Sequence, residues 1–291
     1  MLTLVTGATG RVGSRLVPRL LQWRRPGDAV RVLVRDAERG EPFARRGAQV
    51  VTGDLRDEGD VRKALAGVDA VLHLAAVFRD DAGDGTWAVN RDATLALARL
   101  AAGTGAGSGA VRFVQAGTNL VYGPGRGRPS REDDEPRPGG PMGGPYPESK
   151  AAAERGLLEL HKAAGLDVRI GRLAFVYGEG DPHLAQSLRW AAGWAAHQRL
   201  HMVHHADAAQ GLLRLLRTPG IGGRIYNIAD DAPVTAVELH WLNGVEPPAG
   251  MAERALPDPW DGVVSTVRVR DELGFRPQYP SVWTARHAGA L

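Results

Sequence analysis

Leu2-Thr3-Leu4-Val5-Thr6-Gly7-Ala8-Thr9-Gly10-Arg11-Val12-Gly13 opens the chain and governs how the rest of it folds. Leu2 to Val5 is a short apolar run ending at glycine, which suits a buried parallel strand. Beyond it, Val12, Leu16, Val17, Leu20 and Leu21 recur at helical spacing. A strand, a glycine turn and a helix in that order make an anion site, because a helix N-terminus presents backbone N–H groups and the positive end of its dipole. Gly7 permits the sharp turn, Gly10 lets a pyrophosphate approach the backbone, and Gly13 lets the helix pack on the sheet. The spacing is G-x-x-G-x-x-G rather than G-x-G-x-x-G, and a tight turn without a ligand would satisfy the same glycines.

Around this stretch lie 291 residues, enough for one large core or two modest ones. A hydrophobic content of 43% and a charged content of 24% are ordinary for a soluble globular protein. No apolar run approaches a membrane span and the N-terminal stretch lacks a basic region followed by an apolar signal segment, so no membrane partner is expected. The chain has no cysteine, which excludes disulfide and thiolate chemistry and fits a cytoplasmic location. The pI near 9.5 does not point to nucleic acid, because the net charge is only +3 and arginine is spread without a basic block.

Downstream, strand and helix patterns alternate. Ala29–Val34, Ala48–Thr52, Asp69–Leu74 and Ala110–Ala116 read as strands. Helices are expected through Glu41–Arg46, Asp57–Ala66 and Thr86–Ala102, with Gly103–Gly109 as a loop. The fold class is therefore α/β, a doubly wound parallel sheet of Rossmann type. Gly123–Pro147 is too polar and broken for a core element; a helix from Pro147 to Ala164 and a strand from Asp167 to Leu173 follow. Pro182–Ala196 and Ala206–Arg217 look helical, and Gly223–Ile228 is a strand. We expect a dinucleotide-binding domain over 1–173 and a smaller, interleaved substrate lobe over 174–291.

Taken together, these segments resemble the extended short-chain dehydrogenase/reductase family, which includes the nucleotide-sugar epimerases and dehydratases. Thr6–Gly13 has that family's TGxxGxxG spacing, which accounts for the departure at the glycines. Gly53-Asp54-Leu55 looks like the segment whose Asp contacts adenine, His73-Leu74-Ala75-Ala76 like the turn beneath the cofactor, and Val89-Asn90 like the helix asparagine. Thr118-Asn119-Leu120-Val121-Tyr122-Gly123 matches the segment with the catalytic hydroxyl, and Tyr146-Pro147-Glu148-Ser149-Lys150 matches the Y-x-x-x-K pair. The tail Glu272-Leu273-Gly274-Phe275-Arg276-Pro277 resembles the family's closing segment. The resemblance implies Thr118, Tyr146, Lys150 and Asn90 as catalytic residues. It implies Gly7, Thr9, Gly10, Arg11, Val12, Gly13, Arg35, Asp54, Leu55, Leu74, Ala75 and Ala76, with Tyr146 and Lys150, as cofactor contacts.

Tyrosine and lysine four residues apart share one helix face. A phenol with a pKa near 10 is a weak base at neutral pH, and a nearby ammonium is expected to lower that value. Thr118 would hydrogen-bond the same substrate oxygen. Asn90 either anchors a water-linked proton path or satisfies a kinked helix, and His73 is structural. Arg35 ends the second strand, where an arginine accommodates the 2′-phosphate of NADP and an acid would hold the ribose of NAD. NADP is therefore favoured over NAD, although Asp36 stands one residue on and a one-residue slip would reverse the choice.

Phe78, Thr118, Asn119, Phe175 and Trp190 are candidate substrate contacts, with Trp194 on the same expected helix face as Trp190. The short segment from Tyr177 to His204, with Leu200 where nucleotide-sugar relatives place an arginine and Arg199 one residue off, argues against a nucleotide diphosphate. No metal is expected, since His204-His205-Ala206-Asp207 fits a family segment better than a zinc spacing. The expected activity is hydride transfer between a nicotinamide and a ketone or secondary alcohol on a sugar or other oxygenated natural product. The alternatives are a nucleotide-sugar epimerase or dehydratase with tightly held cofactor, and a non-catalytic NADP-sensing protein. The helices near Thr86–Ala102 and Pro147–Ala164 commonly form a homodimer seam in this family, and their alanine-rich faces permit one here.

Overall fold

β1 (Leu2–Thr6) lies within a sheet it shares with β2 (Ala29–Val34), β3 (Gln49–Thr52), β4 (Ala70–His73), β5 (Arg112–Thr118) and β6 (Asp167–Leu173). Three short strands follow, β7 (Phe175–Tyr177), β8 (Arg199–Leu200) and β9 (Met202–His204), then β10 (Arg224–Ile228) and β11 (Val234–Thr235). This computed structural model describes residues 1–78, 84–104, 110–256 and 258–291. The seven-stranded sheet has the order β10-β6-β5-β4-β1-β2-β3. β1 runs parallel to both β2 and β4, β2 to β3 and β4 to β5. The order reverses between β1 and β4, so the loops that leave their C-terminal ends frame a switch point, where open α/β sheets bind ligands.

Two compact units make up the chain. The first contains Met1–Thr118, Gly143–Gly171 and Leu212–Ile225; the second contains Asn119–Met142, Arg172–Gly211 and Tyr226–Leu291. Asn119–Met142 thus belongs to the second unit and Leu212–Ile225 to the first. One of them, Leu212–Ile225, is held in the first unit by Arg169, which is 1% exposed. Its guanidinium donates to the carbonyls of Leu215 and Thr218 and pairs with Asp167 at 2.8 Å. These carbonyls close the helix His205–Arg217, so a buried cation satisfies its negative end.

In the first unit Leu4, Val71, Leu97, Phe113, Leu157 and Ile170 form the core, each fully buried. Burying such a side chain is worth about 1.5–3 kcal/mol. In the second, Tyr177, Trp194, Met202, Leu239 and Val282 form a separate cluster.

Several boundaries differ from expectation for local reasons. The helix expected at Glu41 starts at Ala37, because the Asp36 carboxylate caps it by accepting the Glu38 N–H at 2.9 Å. The long helix expected over Thr86–Ala102 is a helical turn, a π-helical turn over Ala88–Ala93, and a helix over Thr94–Thr104. Only the first residues of the expected Gly103–Gly109 loop fall among the described residues, and 105–109 lie outside them. The polar segment after Gly123 is less solvated than its composition suggests. Ser130 and Glu132 are 5% and 6% exposed, and the Glu132 carboxylate accepts the Asn227 N–H at 2.9 Å. Pro182–Ala196 forms two short helical turns, His183–Gln186 and Leu188–Ala191, rather than one helix.

Candidate active site

The helix Pro145–Ala164 begins on Gly144 with φ +115° and a proline in its first turn, a favoured way to start a helix. Tyr146, Lys150 and Glu154 follow one another at four-residue intervals along one stripe. Thr118 closes β5, and its hydroxyl hydrogen-bonds the Tyr146 phenol. Burial pushes that phenol up to about 12, the bond with Thr118 opposing it. This differs from the expectation that Lys150 would lower it. The Lys150 ammonium instead donates to the Ala116 carbonyl at 2.6 Å, and desolvation is the dominant influence on the tyrosine. Lys150 is itself 3% exposed, and burial brings its ammonium down to about 8 against the opposing charge of Glu154. Gly117 must be small here, because a Cβ would press on Glu154, Ile170 and Gly171. Phe78 stands edge-on to the Tyr146 ring, centroids 4.7 Å apart.

Asn90 sits within the π-helical turn, fully buried. Its side-chain oxygen accepts the Val77 N–H at 2.8 Å, and its amide donates to the Val77 carbonyl at 2.9 Å and to Ser149 Oγ at 3.1 Å. Ser149 Oγ donates in turn to the Tyr146 carbonyl at 2.9 Å. Asn90 thus clasps the strand-exit turn to the tyrosine helix, which fits its place in a π-turn. His73 is fully buried between Thr6 and Thr94, with contacts of 2.6 and 2.8 Å. The Thr94 hydroxyl donates to the Asn90 carbonyl, so it accepts from His73 Nε2, and Nδ1 accepts from Thr6. Burial, with the Lys150 charge second, lowers His73 to about 3, so the ring is neutral and structural.

The glycine loop fits a dinucleotide. Gly7 takes φ +71° and lies on the backbone of Leu74 and Ala75, so the loop and the Leu74-Ala75-Ala76 turn adjoin. Gly10 is exposed, and a Cβ there would meet only the Gly7 carbonyl oxygen, at 3.3 Å. Thr9, Arg11 and Val12 flank this exposed glycine. Gly13 packs on Gly7 and Ala8. At the end of β2, Arg35 is exposed and Arg39 donates to the Thr9 carbonyl at 3.2 Å. Asp54 is bound at 2.7 Å by Arg56, which with its backbone N–H holds the carboxyl down at about 2; Arg35 adds to the effect. Leu55 follows, packed against the first unit's core.

In the second unit Asn119 donates to the Gly262 carbonyl at 3.3 Å. Asn119 and Trp194 line a cavity in that unit. Phe175 stacks on His183 at 3.8 Å and meets Trp190 edge-on at 6.2 Å, away from that lining. His205 pairs with Asp181 at 2.9 Å and His204 with the Ala290 carbonyl at 2.8 Å. Among the described residues no group of three metal-ligating side chains gathers, and no helix is long and apolar enough to cross a membrane.

Ser149, Glu154 and Arg39 were not singled out in the sequence. Only Glu154 carried a signal, its place one further turn along the Tyr146–Lys150 stripe.

Residues 3–229 match the family model described as NAD dependent epimerase/dehydratase family. A ketoreductase of Stigmatella aurantiaca, 4-hydroxy-2-methyl-3-oxo-4-farnesyl-3,4-dihydroquinoline-1-oxide ketoreductase, is 30% identical over 80% of this chain and 70% of its own. A dTDP-glucose 4,6-dehydratase of Streptomyces griseus is 30% identical over 94% of this chain and 88% of its own. The solved dTDP-glucose 4,6-dehydratase DesIV of Streptomyces venezuelae, with NAD and TYD bound, superposes with a TM-score of 0.77 at 27% identity, covering 99% of this chain and 97% of its own. The glycine loop, the Rossmann-type sheet and the family match agree: the chain is an enzyme of the NAD-dependent epimerase/dehydratase family, within the extended short-chain dehydrogenases/reductases.

Proposed function

We propose that this enzyme is an NADP-dependent ketoreductase in which Thr118, Tyr146 and Lys150 act on the substrate carbonyl and its product alcohol. The observation that carries this reading is the Tyr146 phenol, hydrogen-bonded to Thr118 and raised to about 12 by burial. A phenol in that state holds its proton at neutral pH and is suited to give it up to a strong base. The bound nicotinamide would supply the hydride. Reduction of a ketone leaves an alkoxide oxygen; Tyr146 would protonate it, while Thr118 holds the same oxygen in place. Lys150, one helical turn on, would serve in returning that proton to Tyr146. Asn90 is a positioning residue, acting through Val77 and Ser149.

Water elimination, as in the named dehydratases, would need a second proton acceptor beside the tyrosine. Asn119 and Leu120, the residues that follow Thr118, offer none. The Tyr146–Lys150 pair likewise speaks against a purely cofactor-sensing role. Net consumption of NADPH with ketone reduction tests the reading, and conversion without net cofactor oxidation would favour the epimerase class.

The ionisation of Lys150 sets a pH dependence. Its ammonium is present below about 8 and lost above it, so ketone reduction is expected to fall as pH rises through about 8. Lys150→Arg, which stays charged, should remove that limb from a pH–rate profile. A limb unchanged in the variant would assign it to another group.

For the cofactor, Asp36 is engaged as a helix cap, while Arg35 is exposed at the strand end, with Arg39 reaching the loop. This favours a 2′-phosphate. NADP is expected to bind about tenfold or more tighter than NAD, and Arg35→Ala to bring the two affinities together. Titration that finds NADP affinity unchanged in the variant would remove Arg35 from the argument.

A further inference from the structure

The stripe that carries Tyr146 and Lys150 continues for one more turn to Glu154, all three within the first unit. Glu154 is 3% exposed, as is Lys150, and the reaction as read above gives it no part. A charged side chain so deeply buried is costly unless another group answers its charge. Both side chains bear on the last residues of β5. The Lys150 ammonium donates to the Ala116 carbonyl. Glu154 lies against Gly117, where an added Cβ would stand 3.0 Å from its Oε1. Thr118, whose hydroxyl bonds Tyr146, is the next residue.

A carbonyl is a dipole and accepts the lysine's proton without neutralising its charge, so Ala116 alone does not offset the desolvation of the ammonium. The helix places Glu154 to do so. Residues four apart on a helix have Cβ atoms about 5–6 Å from one another, and at that range one unit charge moves a buried neighbour's ionisation by about one pH unit. Glu154 favours the charged form of Lys150, against burial. Among the described residues it is the one buried carboxylate on the elements packed against the lysine. His73, on β4, is neutral and feels the lysine's own charge, and Tyr146 holds its proton. In the π-helical turn Arg91 pairs with Asp92 at 2.6 Å. On β6 Arg169 is matched by Asp167, and Arg172 lies over the Tyr122 ring, 4.6 Å from its centroid. Arg99, Glu148, Arg155 and Glu159 are exposed.

We propose that Glu154 is a positioning residue that acts through Lys150: its carboxylate is the counter-charge that keeps the lysine cationic and seated on the end of β5. The lysine then stands ready to return a proton to Tyr146. This rests on the ketoreductase reading for what Lys150 does in the reaction, but not for what holds it charged.

The chain has only three lysines, Lys63, Lys150 and Lys162, so the full chain labelled with carbon-13 at lysine Cε gives three resonances to follow against pH. Lys63 and Lys162 are exposed and serve as references, while Lys150→Arg removes the third signal and so assigns it. The Lys150 resonance is expected to titrate at about 8 in the parent and about one pH unit lower in Glu154→Gln. Glu154→Asp, which withdraws the charge by one methylene, should titrate between the two and decides the matter if Glu154→Gln does not fold. A Lys150 midpoint unchanged or raised in either variant would overturn the inference. NADPH oxidation with a panel of ketones separates the two readings, the falling limb of its pH profile being expected to move down with the resonance in Glu154→Gln. A resonance that moves while the limb stays, or while no ketone is reduced, sinks the part given to Lys150 in ketone reduction and keeps Glu154 as its counter-charge. An unmoved resonance beside ketone reduction does the reverse.

Discussion

Tyr146→Phe is expected to lower kcat for ketone reduction by about a thousandfold while leaving cofactor affinity and thermal stability near those of the parent enzyme. A positioned proton donor contributes about 10²–10⁴ in rate, and this substitution removes the transferable proton and nothing else of size. The ring keeps its edge-on contact with Phe78 and its place in the first turn of the helix Pro145–Ala164. Thr118 loses one hydrogen-bond partner, at a cost of about 1 kcal/mol. The pattern to look for is a kcat loss with little change in the cofactor Kd. A variant that keeps more than about a tenth of its turnover would place the proton donor elsewhere.

The second large effect concerns folding, and it divides the three glycines of the opening loop. A Cβ on Gly13 would collide with the Gly7 carbonyl oxygen and the Ala8 backbone. One on Gly7 would collide with the backbone of Leu74 and Ala75, at φ +71° besides. Backbone cannot swing away as a side chain can, so Gly13→Ala and Gly7→Ala should each cost about 3 kcal/mol or more of stability. Gly10→Ala meets only one atom, at 3.3 Å. It should unfold within about 1 kcal/mol of the parent, yet bind NADP about tenfold or more weakly, because a pyrophosphate approaching the backbone at Gly10, as proposed, would meet the new methyl. Denaturant unfolding and cofactor titration of the three variants read the two effects separately. Equal stability losses at all three positions would mean that the glycines serve packing alone.

Much of this was legible in the chain. The strands of the doubly wound sheet announced themselves as apolar runs, because strands covered on both faces have no polar side to show. Tyr146 and Lys150 could be placed on one helix face from their spacing, since a helix brings residues four apart together, whereas Thr118, at the end of a strand, was singled out only through the family resemblance. What the sequence concealed was the balance of forces around them. A Y-x-x-x-K spacing says nothing of the Ala116 carbonyl that takes the Lys150 ammonium, and so it overstated how far that charge would acidify the phenol. Asp36 read as a rival ribose ligand, and nothing in the spacing told that its carboxylate caps the following helix. The π-turn at Asn90 has no periodicity of its own and is held by hydrogen bonds to Val77 and Ser149, which are distant in sequence from one another. Trp190 and Trp194 shared a face only if Pro182–Ala196 were one helix. It breaks into two turns, leaving Trp194 on the cavity and Trp190 on Phe175.

Net reduction with Tyr146 as proton donor is tested most directly by supplying NADPH deuterated at the transferring position of the nicotinamide together with a panel of ketones. The expected result is one deuterium at the new carbinol carbon and one NADPH oxidised for each alcohol formed, at a rate about a thousandfold lower in Tyr146→Phe. Turnover that leaves NADPH unconsumed, or product without the label, would contradict it.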